Sequence, residues 1–283
     1  MADFTTTEAD QFLLDIWANS IEEFRRQSLI FTRMVTMASE YGVGSVRGFQ
    51  NLTIPSTTLL NSGTARQKSA STNITYDSNT DTPYTLAINQ HWYQAFNVEE
   101  FADALSGFDI EAAYAPAVIE VLVRKEDATL SAWVDNFTTQ TVGAFGQDNT
   151  EEEILRAIQY LDDSDHPEAG RAFGFSNPGS LALAKQQKWT SSDYVDGRPV
   201  VTGMVGSLYS IPVLKSTAVE GSNAAGHDNV LAHRSWVVHH RVGNRPRIRN
   251  FSDIDSLSER MAASMIWGNN QLRTTSAIWV KGP

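Results

Sequence analysis

The clearest alternation of apolar and polar positions in the chain runs from residue 109 to residue 137. Apolar residues recur there every three or four positions, and charged residues fall mostly between them. This spacing predicts one long amphipathic helix. Asp109 is a suitable N-cap. Pro116 would remove a hydrogen bond inside the helix, so we expect either a kink there or a helix that begins at Ala115.

Two stretches before this helix predict extensions of the chain. Residues 8–40 have a helical pattern and predict an arm that need not pack on its own body. A short strand is predicted at 49–55, and apolar alternation from Tyr84 to Gln94 predicts a long one. The polar residues 56–83 between them complete a two-stranded finger. Such a ribbon is marginal alone in water, which predicts a neighbouring subunit to lie against; a disordered surface loop is the alternative.

The part of the chain after the long helix mixes helical and strand patterns. Thr150 followed by three glutamates predicts a capped helix to about Tyr160. Residues 171–189 predict a strand, a turn at 177–179 and a short helix, and apolar strands follow at 197–219. This mixture predicts a separate α+β domain.

The tail continues the mixed pattern. Residues 230–249 alternate as strands do, residues 252–268 have a helical pattern, and residues 274–280 predict a closing strand.

Composition excludes several classes of protein. The chain has 283 residues and no cysteine, which excludes disulfides, thiolate metal sites and cysteine catalysis. The N-terminus does not have the pattern of a signal peptide, and no apolar run approaches the length of a membrane span, so we expect a cytoplasmic protein.

Charge is unevenly distributed along the chain. The net charge is −11, yet residues 95–170 carry 17 acidic residues against three basic ones, and residues 230–283 carry eight basic against three acidic. This asymmetry would favour head-to-tail pairing between copies, and two solvated faces are the alternative.

The candidate chemical motifs are weak. The glycines of 42–48 are one residue too widely spaced for a dinucleotide fingerprint and follow a helical pattern, so a turn is preferred. Glu151 to Glu153 suit a helix N-terminus better than a metal. His239 and His240 are consecutive and would point to opposite faces of a half-exposed strand, which argues against a zinc site with His233. We therefore predict no cofactor, no metal and no catalytic residue.

The order of the segments resembles the tailed-bacteriophage major capsid proteins with the Hong Kong ninety-seven coat fold, over nearly the whole chain. The most telling pieces are the GSLYSIPV run at 206–213 and the turn at 267–268 followed by the basic strand 273–280. The resemblance implies an α+β fold with five parts: an N-terminal arm (1–44), an extended β-finger loop (45–86), a peripheral domain with a long spine helix (87–144), an axial domain (145–226) and a return segment that completes the peripheral domain (227–283).

The resemblance also implies a function. Such a protein would be a non-enzymatic structural component of the virion that self-assembles into pentamers and hexamers of an icosahedral shell in the host cytoplasm. It would enclose double-stranded DNA without reading its sequence, bind no membrane and work with a portal. Because the chain starts almost directly with the arm, we expect either a separate scaffolding protein or a mature form. The alternatives are an encapsulin-like compartment shell and, less favoured, a histidine- or carboxylate-dependent hydrolase.

Four basic residues are candidates for contacts between subunits. Arg66 and Lys68 are the two cations of the polar stretch 56–83 of the finger, and Arg25 and Arg26 lie in the arm. Some relatives cross-link lysine to asparagine; Lys68 lies in the finger, but nothing in the sequence identifies a partner for it, so that chemistry is not among our predictions.

Overall fold

The structure is a computed structural model, and it describes residues 27, 29–41, 51–56, 65–71, 73–76, 83–100, 110–186, 206–243 and 246–283, with the backbone alone for 110–113. These residues form four α-helices: α1 (Phe31–Met34), α2 (Ile110–Ser131), α3 (Glu151–Asp163) and α4 (Asn177–Ala184). The strands are β1 (Thr36–Met37), β2 (Asn51–Ile54), β3 (Tyr84–Ala87), β4 (Gln90–Glu99), β5 (Thr141–Gly143), β6 (Arg171–Phe175), β7 (Ser207–Leu208), β8 (Ile211–Lys215), β9 (Gly221–Ser222), β10 (Gly226–His233), β11 (Val237–Arg241), β12 (Arg247–Asp253), β13 (Ser258–Gln271) and β14 (Ala277–Gly282).

The first sheet is built around β13. This strand pairs with β4 along one side and with β12 and then β11 along the other, and β1 adds to β11 in parallel. Helix α2 covers one face, where Val118 and Leu122 pack against alternate side chains of β13. The opposite face of the sheet, where β12, β13 and β4 pair, points away from the helix. It carries Tyr93, Arg247 and Arg249.

The helix predicted for residues 252–268 is wrong, because residues 258–271 form β13. Met261, Ala263, Met265 and Trp267 are all buried, and they alternate with more exposed residues in the period of a strand. Pairing on both sides of the strand overrides the local preference of methionine and alanine for a helix.

The second sheet runs in the order β5-β14-β10-β6-β8-β7, with β9 beside β10. Helix α3 packs Ile154, Ala157 and Leu161 into the core of this sheet. The predicted cap is confirmed: Thr150 and Glu153 form a reciprocal capping box. The turn predicted at 177–179 is instead the first turn of α4, because Ser176 accepts the Gly179 N–H and caps the helix.

The long helix differs in its limits from the prediction. It runs from Ile110 to Ser131 with Pro116 inside it, so a start at Ala115 is wrong, and the next helical segment is a short 3₁₀ turn at Val134–Asn136. Glu120 pairs with Arg124 one turn later, at 2.9 Å. We refer to α2 below as the spine helix.

The strand predicted from Tyr84 to Gln94 is two strands. Strand β3 pairs with β2, whereas β4 pairs with β13, and residues 88 and 89 make the change of partner. The turn expected at 267–268 is wrong too, because both residues lie inside β13. A glycine is needed at 268 since a Cβ there would lie 2.3 Å from the Ala87 carbonyl oxygen.

The GSLYSIPV run forms a tight hairpin between β7 and β8. Leu208 faces Ile211, and the two turn residues, Tyr209 and Ser210, both have positive φ angles of 50° and 66°. A two-residue turn of this kind matches the twist of the strands it joins.

Candidate inter-subunit surfaces

Two carboxylates of the spine helix bind the N-terminal segment by accepting hydrogen bonds from its backbone N–H groups. Asp127 is fully buried and accepts the backbone N–H groups of Ile30 (3.2 Å) and Thr32 (3.0 Å). Glu120 accepts the N–H of Gln27 at 2.9 Å. Burial raises the pKa of Asp127 above its ordinary value, and the N–H groups of Ile30 and Thr32 oppose that shift without cancelling it.

The described root of the arm is therefore part of the body. Ile30 and Phe31 lie in a core cluster with Trp236 and Phe137, and the indole N–H of Trp236 donates to the Met34 carbonyl at 3.0 Å. The expectation of an arm that need not pack on its own body is wrong for residues 29–41. Arg25 and Arg26 lie outside the described residues.

A third carboxylate of the spine helix joins it to the first sheet. Glu126 is fully buried and accepts from Nε2 of His239 (2.9 Å) and from Nε of Arg241 (2.8 Å) on its Oε1, while Arg241 Nη2 donates to its Oε2. Burial alone would raise the pKa of Glu126, but the hydrogen bonds from His239 and Arg241 outweigh burial and hold the pKa below its ordinary value. Glu126 is thus an ionised carboxylate with three donors.

The finger is anchored at its root. Ile54 and Leu86 are buried against Ala38 and Val238, and Asn270 of β13 donates to the Thr85 carbonyl at 2.7 Å. Beyond the root, every described residue at 65–71 and 73–76 is exposed. This is the expected form of a segment with few partners in its own chain.

The structure places both predicted cations of the finger on this exposed part. Arg66 donates to the Thr75 carbonyl at 3.3 Å and so links the two sides of the finger, and Lys68 donates to the adjacent Ser69 carbonyl at 2.6 Å. Ile74 and Tyr76 are exposed close by, Tyr76 at 87%. The finger therefore offers apolar and basic groups together.

A third surface, not foreseen from the sequence, is the hairpin of β12 and β13. Phe251 (67% exposed) and Ile254 (84%) stand out from it, and Leu257 is exposed beside them. All of β12 before Asp253 is exposed. The helical interpretation of 252–268 hid this hairpin, although the alternation of buried positions in β13 could have revealed it.

The histidines are held by ordinary structural contacts. His233 stacks on His166 with ring centroids 5.4 Å apart and contacts the Ser235 hydroxyl at 2.7 Å. Burial lowers the pKa of both rings, and the nearby arginine charges lower it further. His239 and His240 are buried, so the half-exposed strand expected for them is wrong. Among the side chains that the structure describes, no three His, Asp or Glu groups converge as metal ligands would.

Two other predictions from the sequence can be compared only with the part of the chain that the structure describes. The glycines of 42–48 and the segment 197–205 lie outside the described residues. None of the helices in the described ranges is long and apolar enough to cross a membrane.

Solved structures match the chain along nearly its whole length. A structure of Mycobacterium phage Che8 has a TM-score of 0.80 at 19% identity, covering 95% of this chain and 97% of that one. The capsid structure of the cyanophage P-SCSP1u has a TM-score of 0.76 at 15% identity, covering 99% and 96%. The capsid of an empty GTA particle has a TM-score of 0.73 at 13% identity, covering 99% of each chain.

No protein-family model matches the chain, and no curated protein matches it. The structural likeness defines the class of fold: the chain has the α+β coat-protein fold of phage capsids, as predicted. At these identities the likeness establishes the fold alone.

Proposed function

We propose that the chain is the major capsid protein of a tailed bacteriophage, which self-assembles into pentamers and hexamers of an icosahedral head shell. The observation that carries this proposal is the match to capsid structures over both whole chains, with at least 95% of each covered for the cyanophage capsid and the GTA particle capsid. A match of this extent includes the finger and the arm root, which a shared core alone would not require.

The surfaces of the chain support a role in assembly. The finger exposes Tyr76 and Ile74, and the hairpin exposes Phe251 and Ile254. Clusters of exposed apolar side chains on thin projections favour burial by other copies. Interfaces that repeat around five-fold and six-fold axes close into a shell.

We assign the parts of the chain in the same terms. The arm would be 1–44, the extended loop 45–86 and the spine-helix region 87–144. The axial domain would be 145–226, with β5, β10 and β14 of the flanking segments completing its sheet. The rest of 227–283 would return to the peripheral domain. Arg66, Lys68, Arg25 and Arg26 would contact neighbouring subunits.

The proposed partners follow from this role. The shell would enclose double-stranded DNA without sequence-specific contacts, and it would assemble in the host cytoplasm with a portal and a separate scaffolding protein. The role is structural and needs no catalytic residue.

Electron microscopy of the purified chain, alone and with a scaffolding protein supplied, tests the proposal. Rings, sheets or closed shells of uniform subunits are expected. A chain that stays monomeric at high concentration in both conditions would contradict it. Shells that enclose host enzymes instead of nucleic acid would favour the encapsulin-like alternative.

A further inference from the structure

Strand β12 is an edge with seven residues and one partner. It pairs with β13 from Arg247 to Asp253, and in the part of the chain that the structure describes no strand pairs with its other edge. An open edge is a template for another strand, and proteins usually protect it with proline, lysine or a short length. Strand β12 has no proline or lysine within it, and although Arg247, Arg249 and Asp253 are charged, it exposes Ile248 and Phe251 between them.

The side chains along this edge complement themselves. When two copies of β12 run antiparallel with Phe251 opposite Phe251, residues equally far before and after it face each other. Arg249 then faces Asp253, and Ile248 comes near the exposed Ile254, the first residue of the turn that follows β12. Opposite charges and apolar pairs in these positions stabilise a sheet. If the strands shift so that Arg249 is opposite Arg249, like charges meet instead.

The pairs also lie on the correct faces. Side chains alternate along a strand, so Arg249, Phe251 and Asp253 share one face of the sheet. Asp253 is already held on that strand by the Ser256 hydroxyl at 2.8 Å and by Arg260. A carboxylate has enough acceptor sites for a second guanidinium, so Arg249 of another copy can add to this contact.

We propose that β12 pairs with β12 of a second copy, antiparallel and about a two-fold axis at Phe251, so that two first sheets become one continuous sheet. This pairing rests on the proposed function, because it would link subunits within the shell. A second copy is the occupant because the strand complements its own sequence in charge and in apolar positions.

The absence of cysteine in the chain makes the test direct, because any introduced thiol is the only one. Facing residues of an antiparallel pair have Cα atoms about 4.5–5.5 Å apart, within the range that a disulfide spans. Mild oxidation of particles of Phe251→Cys should therefore convert most chains to covalent dimers.

Ile248→Cys is the matched control, because it changes an exposed apolar residue of the same strand. The two copies of residue 248 would be six residue steps apart, about 20 Å, so this variant should give no dimers. Dimers from Ile248→Cys at the yield of Phe251→Cys would overturn the pairing.

A second probe keeps Phe251. Asn250 faces Ser252 of the other copy, so Asn250→Cys/Ser252→Cys should also form dimers, whereas each single variant should not, because its diagonal distance of about 7–8 Å is too long. This double variant decides the question if Phe251→Cys fails to assemble.

The outcomes separate this inference from the proposed function. Normal particles in which neither probe forms dimers would overturn the pairing and leave the coat function standing. A thiol at residue 251 that neither dimerises nor reacts with a maleimide in intact particles would show that another surface covers the strand, which also overturns it. If the unsubstituted chain forms no particles, the coat function fails, and the absence of dimers in the concentrated soluble chain would overturn the pairing.

Discussion

The C-terminal half of the spine helix and the β12–β13 hairpin use polar and apolar residues in opposite ways. At the spine helix, Glu126 and Asp127 are fully buried and each accepts hydrogen bonds from other elements of the same chain. At the hairpin, Phe251 and Ile254 are exposed, and β12 has one open edge.

This difference separates two tasks. The contacts of the spine helix join the arm root, the helix and the first sheet into one folded subunit. The exposed strand β12 and the part of the finger beyond its root pack little on that subunit, so their side chains are available for other copies. Substitutions distinguish the regions, because those at the spine helix should destabilise the isolated subunit most and those at the finger least.

Glu126→Gln should cause the largest loss of stability. The substitution removes the charge that compensates Arg241 and leaves a buried cluster incomplete, which costs about 3 kcal/mol of unfolding free energy. Urea unfolding of the isolated chain measures the loss. The matched control is Asp148→Asn, since the Asp148–Lys185 pair is exposed and should contribute less than about 1 kcal/mol. Equal stabilities of the two variants would contradict the assigned role of Glu126.

The two neighbouring carboxylates should respond to pH with opposite signs. Glu126 has a lowered pKa, so its contribution is complete above the ordinary value of about 4.3 and is lost as the pH falls through the lowered value. Asp127 has a raised pKa, so its contribution is complete below the ordinary value of about 3.9 and is lost as the pH rises through the raised value.

Unfolding of Glu126→Gln and Asp127→Asn from about pH 3 to pH 6 measures this contrast. The deficit of Glu126→Gln relative to the unsubstituted chain should grow as the pH rises, and the deficit of Asp127→Asn should shrink. Parallel slopes for the two variants would mean that the hydrogen bonds to one of the carboxylates have been misassigned.

Charge reversal at Arg66 and Lys68 together should leave the isolated subunit unchanged, within about 0.5 kcal/mol, because both side chains are exposed. It should impair assembly, since both cations lie on the part of the finger proposed to contact a neighbour. Sedimentation of assembly mixtures checks this, with Lys185→Glu as the control for reversal of an exposed lysine. Normal particle yields from the double variant would refute the proposed contact.

The sequence predicted the elements whose signals are local. The capping residues Thr150 and Glu153 marked the start of α3, and the apolar stripe marked the spine helix. The prediction of a helix at β13 was wrong. Met261 and Met265 fit helical spacing as well as strand spacing, and only pairing with the strands on either side decides between the two.

The candidate surfaces also divide into those with a local sequence signal and those that depend on residues distant in the chain. A long polar stretch between two strands identified the finger, and its cations are exposed as expected. Glu126 and Asp127 gave no such signal, because their partners His239 and Ile30 are each about a hundred residues away in the chain. The role of Phe251 depends on a strand edge that becomes visible only once β12 and β13 are paired.

Hydrogen exchange of the backbone amides, compared between the isolated subunit and the assembled particle, tests the central distinction most directly. Assembly should protect the finger at 65–76 and the hairpin at 247–257, because other copies would cover them. Amides of the spine helix at 120–131 and of β11 should already be protected in the isolated subunit and should change little. Unchanged exchange in both the finger and the hairpin after assembly would contradict the account.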